Sequence, residues 1–146
     1  VSLREEPMPA PSGEGWREDL WLLARWLLAA ARRHPALWEV TGQMAGEATT
    51  TLLAFGESWI GLWRTSDLPE ARAFEAAITS LGGVVAMVGQ SRRPVEAPSV
   101  PHLSSLPNMR HAIDRAPDPA VAFELAVRSL IDGLVLRLGA TTDGRN

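Results

Sequence analysis

Gly56-Glu57-Ser58-Trp59-Ile60 comes within one residue of a nucleophile elbow, the Gly-x-Ser-x-Gly turn that exposes a serine hydroxyl for acyl transfer. That chemistry needs the serine on a sharp strand-to-helix turn. Here the closing glycine is replaced by Ile60, and the segment lies in the middle of a helical pattern. The three histidines, His34, His102 and His111, lack the i, i+4 spacing that brings two imidazoles onto one metal ion. Gly82-Gly83 precedes no helix start, so it does not cradle a phosphate. Cysteine is absent, which excludes disulfides and thiol chemistry. Glu57 and His102 remain as candidates for acid–base work, but they form no pair at a recognisable spacing. The residues therefore point to no catalytic set, no metal and no cofactor.

Bulk properties narrow the class further. A chain of 146 residues, 46% apolar and 21% charged, fits one domain with a real core. All 14 basic residues are arginine, the net charge is −3, and only Arg32-Arg33 and Arg92-Arg93 are adjacent. A nucleic-acid-binding domain usually carries a basic patch. This chain by itself is expected to hold no nucleic acid. The most apolar run, Leu20 to Ala31, is broken by Arg25 and is too short to cross a bilayer, which takes about 20 residues. It follows an acidic, proline-bearing segment, unlike a signal peptide. The expectation is a cytoplasmic protein with no membrane partner.

The elements that must position any site are all helices. Residues 1–15, with three prolines and two glycines, read as a mobile leader. Trp16 to Arg33 forms the first helix, stopped at His34-Pro35 because the residue before proline avoids the helical region. A short helix runs from Pro35 to about Val40, and another from about Ala45 to Arg64 with Leu52, Gly56, Trp59 and Trp63 on one face. Asp67 and Glu70 form an acidic capping box for a helix reaching about Gly89. A proline-rich loop over 91–107 precedes a brief helix at Asn108–Arg115. Asp118-Pro119 opens the last helix, where Phe123, Val127, Leu130, Leu134 and Leu138 recur at helical spacing. No period-two pattern competes, so the fold class is all-α, a bundle of five to six helices.

Interior glycine costs a helix roughly 1 kcal/mol relative to alanine. Gly82, Gly83 and Gly133 therefore suggest close helix packing, within one chain or across a two-fold axis. The faces Phe74/Ile78/Leu81/Val85 and Phe123/Val127/Leu130/Leu134 are expected to form a four-helix homodimer interface from residues 67–89 and 118–138.

The ordered set of motifs carries a resemblance. "GWREDLWLLARWLLAAARRHP", then a helix pair, "PHLSSLP" and "DPAVAFELAVRSLIDGLVLRL" resemble the C-terminal domain of TetR-family transcriptional regulators of the actinobacterial kind. Trp16, Arg17 and Leu20 match the opening of its first helix, and Arg33-His34-Pro35 its end. Phe123, Val127, Leu130, Ile131, Asp132, Gly133 and Leu134 match its closing helix. The similarity covers nearly all of 16–139, leaving 1–15 as leader and 140–146 as tail; the leader holds no helix-turn-helix. The resemblance implies a small-molecule-sensing domain, dimerised by its last two long helices, with a hydrophobic ligand in a helical-bundle pocket. Trp26, Phe55, Trp59, Trp63 and Met87 would wall that pocket, and Gln43, Thr51, Glu57, Gln90 and His102 would orient the ligand. Three alternatives stay open: the same residues pack a solid core, a stand-alone protein sequesters a hydrophobic metabolite or drug, or an isomerase or cyclase uses the cavity with Glu57 or His102.

Overall fold

A computed structural model describes residues 6–35, 47–91 and 103–140. Among them the protein is all-α: α1 (Trp16–Arg33), α2 (Glu47–Arg64), α3 (Glu70–Ser91), a 3-10 turn at Leu103–Ser105, α4 (Pro107–Asp114) and α5 (Pro119–Ala140). The short helix expected at 35–40 and the start expected at Ala45 lie outside the described residues.

Helix ends follow local chemistry. Gly15, at φ 117, adopts a backbone that L side chains rarely tolerate, and its carbonyl accepts the Asp19 amide at 3.1 Å. The His34 amide closes α1 on the Ala30 carbonyl at 3.0 Å, just ahead of Pro35. Asp118 caps α5 as expected: its carboxylate accepts the Ala120 amide at 2.9 Å. The capping box expected at Asp67 and Glu70 does not form. Glu70 instead faces Arg64 at 3.6 Å, while the Ser66 hydroxyl accepts the Leu68 amide at 3.4 Å.

The central element is α1, which packs against α2, α3 and α5. Three neighbours account for a helix apolar almost all round: Leu20, Leu23, Ala24, Leu27, Leu28 and Ala31 are buried, and Arg25 lies on the exposed remainder. Its neighbours fill the space differently. From α2 come Phe55, Trp59 and Trp63; from α5 come Phe123, Val127 and Ile131. Opposite the aromatics, α3 presents the small side chains Ala73, Ala76, Ala77 and Ser80, which leave room for indole rings.

Packing of α3 on α5 explains one of the three interior glycines. A Cβ on Gly83 would sit 3.0 Å from Leu130 Cδ2, whereas at Gly82 and Gly133 it would meet nothing within 4 Å. Of the faces expected to be left for a partner, that of α5 is turned inward and that of α3 only in part. Phe123 and Val127 are buried in the chain's own core, and Leu81, Val85, Leu130 and Leu134 pack partly against it. The large apolar side chains that face outward are Ile78 on α3 (64% exposed) and Val121, Leu125 (65%) and Leu136 (76%) on α5. On α3 Ile78 belongs to the expected face and stays outward, whereas on α5 the outward set lies about half a turn from the expected one, because α5 buries its most apolar stripe in its own chain.

The segment nearest to a membrane span is α3, not the Leu20–Ala31 run. By length and composition it is long and apolar enough, with mean hydropathy 1.4, and 33% of that stretch is buried within the bundle.

The described part of the leader lies along α1. Ser12 donates its amide and its hydroxyl to Asp19 Oδ1, at 2.8 and 2.7 Å. The Glu6 carbonyl accepts the Trp26 indole N–H at 3.2 Å, the Glu6 carboxylate pairs with Arg33 at 2.6 Å, and Met8 packs on the core. A proline-rich segment loses little further backbone entropy on being held, so a few contacts suffice.

Candidate functional site

Two regions of the bundle bear on binding: the aromatic cluster at the α1–α2 contact and a cavity beneath the leader.

In the cluster, Phe55 and Trp59 stack at 5.6 Å between centroids, and Trp63 meets Trp16 at 5.0 Å. Helical spacing of four residues places Phe55, Trp59 and Trp63 on one stripe of α2, and all three are fully buried. The Trp59 indole donates to Ser80 Oγ at 2.9 Å, and that hydroxyl donates to the Ala77 carbonyl at 3.2 Å. The Trp63 indole N–H is buried with no acceptor among the described residues, a state that costs roughly 1–3 kcal/mol. Surfaces in full contact with protein offer a ligand nothing until a side chain moves.

The other residues expected at a pocket are scattered. Trp26 is half-buried, and its indole holds the leader rather than a bundle interior. Met87 packs partly against the core, Thr51 is half-buried, and Glu57 and Gln90 are exposed. Gln43 and His102 lie outside the described residues. The structure thus brings together Phe55, Trp59 and Trp63 and separates Trp26 and Glu57 from them.

The cavity beneath the leader measures about 290 Å³. Pro9, Ala10 and Pro11 of the leader form one wall, and Asp19 and Leu23 of α1 another. The third wall is α2, through Ser58, Gly61, Leu62 and Thr65. Ser58, Gly61 and Thr65 lie on the flank beside the aromatic stripe, and Leu62 borders both, packing partly against the core. Its position follows from small residues: Gly61 has no side chain, and a Cβ there would meet nothing within 4 Å. Asp19, only 7% exposed, is the one buried charged residue among those described. The sequence held a signal for it, since Asp19 falls on the stripe of Leu23 and Trp26, where an acid is out of place.

A second cavity of about 300 Å³ lies at the N-terminal end of α1, between Trp16 and Arg17, the α2–α3 turn at Ser66–Pro69, and Val135 and Gly139 of α5. Of the ten residues expected at a ligand pocket, none of the eight that are described lines either cavity. On the outer surface Arg128 of α5 bridges Glu18 of α1 (3.0 Å) and Glu124 (2.9 Å) and lies 5.3 Å over the Trp21 ring. Hydrogen bonding to Glu18 and then to Glu124 raises the guanidinium pKa further, against the opposing effect of burial. This network ties α5 to α1 rather than forming a site.

With that geometry in view, comparison with known proteins finds no family model, no curated protein and no solved structure that matches the chain.

Proposed function

We propose that this chain is a small-molecule-sensing and dimerisation domain of the kind found in TetR-family transcriptional regulators, acting as a homodimer on a hydrophobic ligand. One observation carries the reading furthest. The two longest helices, α3 and α5, pack on each other yet keep outward faces of Ile78, Gly82 and Ala86 and of Leu125, Ser129, Gly133 and Leu136. Each face combines exposed large apolar residues with a mid-helix glycine whose Cβ would meet nothing within 4 Å among the described residues. Glycine at such a cost is accounted for when a second backbone approaches, and two helices from each of two copies give a four-helix interface. The all-α bundle and the ordered motifs at Trp16–Pro35 and Phe123–Leu134 support the same reading. In such a regulator the ligand would shift the balance between dimers competent and incompetent for DNA, by no more than its differential affinity for the two.

Sedimentation of the full chain tests it. A dimer at micromolar concentration is expected, and Gly133→Leu, at an exposed position where a Cβ would meet nothing within 4 Å among the described residues, should give a folded monomer. A wild-type monomer at that concentration would sink the reading.

A further inference from the structure

The cavity beneath the leader has a composition that specifies a ligand class. Pro9, Pro11, Leu23 and Leu62 make its surface mostly apolar, and Asp19 supplies a single carboxylate. Taking a carboxylate out of water is costly unless it is paired and hydrogen-bonded. Asp19 is satisfied on one side only: Oδ1 accepts both the Ser12 amide and the Ser12 hydroxyl. Among the described residues no cationic side chain pairs with it, and Oδ2 accepts no hydrogen bond. A carboxylate without a cationic partner, in the lining of a mostly apolar cavity, favours a cation that can donate hydrogen bonds. Thr65 adds a weaker acceptor, since its hydroxyl proton is committed to the Leu62 carbonyl at 2.7 Å and its lone pairs remain.

We propose that this cavity binds an organic ammonium: an amine head on Asp19 Oδ2 and an apolar body against Pro9, Pro11, Leu23 and Leu62. A volume of about 290 Å³ lies at the lower end of ligand pockets and holds a body of about a dozen heavy atoms. The ammonium supplies the charge and donors that Asp19 lacks, and the apolar walls select against small hydrated cations. The inference stands apart from dimerisation and from any relation to transcriptional regulators, because every group it uses lies in one protomer on α1, α2 and the leader.

Calorimetric titration of the full chain tests it with three probes of one shape: 4-phenylbutylammonium, neutral 4-phenylbutan-1-ol and anionic 4-phenylbutyrate. The ammonium is expected to bind at least about tenfold more tightly than the alcohol, and the carboxylate to show no binding. Asp19→Asn keeps an oxygen for Ser12 but removes the charge, so the ammonium should fall to the level of the alcohol. Gly61→Leu projects into the cavity and should abolish binding of both while the helical spectrum is unchanged. Should Asp19→Asn fail to fold, the wild-type comparison and Gly61→Leu decide. No binding of the ammonium, equal affinity for ammonium and alcohol, a charge preference that survives in folded Asp19→Asn, or undiminished binding by Gly61→Leu would each overturn the proposal.

Discussion

Two flanks of the same helix, α2, do opposite things. One flank carries Phe55, Trp59 and Trp63 at four-residue spacing, all fully buried and backed by the small residues of α3. The other carries Ser58, Gly61, Leu62 and Thr65 and borders a cavity of about 290 Å³. Large rings facing small partners pack to completion, because a rigid helix opposite a rigid helix can close every gap by sliding. A small-residue flank facing a proline-bearing segment cannot, since fixed proline dihedrals stop the leader from following the groove. Aromatic content therefore marks the solid side of the helix here, and the space lies where side chains are small.

The sharpest way to break that contrast is Trp59→Ala. On the solid flank it should cost about 3–5 kcal/mol, read by urea denaturation. Stability left intact would mean the ring faces space and would return the ligand to the aromatic side.

Within the solid flank the two indoles differ by one hydrogen bond, so conservative ring replacements sharpen the comparison. Trp59→Phe loses the bond to Ser80, whereas Trp63→Phe removes an N–H that has no acceptor. The first should destabilise by about 1–2 kcal/mol more than the second. Equal costs would indicate that Trp63 also has a partner.

On the open flank, Ser12→Ala removes one of the two hydrogen bonds that hold the leader to Asp19. The expected loss is about 1 kcal/mol, with faster proteolytic clipping of the leader and a changed Trp26 emission. An unchanged clipping rate would show that Met8 and Glu6 suffice to hold it.

The smallest effects come from glycine. Gly61→Ala puts a Cβ into open space and should stabilise α2 by about 0.5–1 kcal/mol. Gly83→Ala, with Leu130 Cδ2 3.0 Å from the new Cβ, should lack that gain and lose stability instead. Thermal melts of the two variants moving in the same direction would contradict the spacing between α3 and α5.

Much of this architecture was legible from local pattern. The apolar run of α1, the stop at His34-Pro35, the Asp118-Pro119 cap and the four-residue spacing along α2 and α5 are set by backbone sterics and periodicity, which act within one turn. Capping was read less well at α3, where Glu70 is turned toward Arg64 across the α2–α3 turn. The orientation of α5 does not follow from its pattern, because an apolar stripe does not say whether its own chain or another copy covers it: Phe123 and Val127 lie inside and Leu125 and Leu136 outside, while on α3 Ile78 stays on the expected outward face.

For the candidate site the division is clearer. The residue types that could bind a hydrophobic molecule, and the absence of cysteine from the whole chain, follow from sequence alone, as does the all-α class with its helix lengths. Which aromatic is solid core, which carboxylate is buried, and where the leader lies depend on pairings such as Ser12 with Asp19, Trp26 with Glu6 and Trp59 with Ser80. Periodicity places a side chain on a face, but only the packing of that face against another element decides whether the gap is filled or left as a cavity.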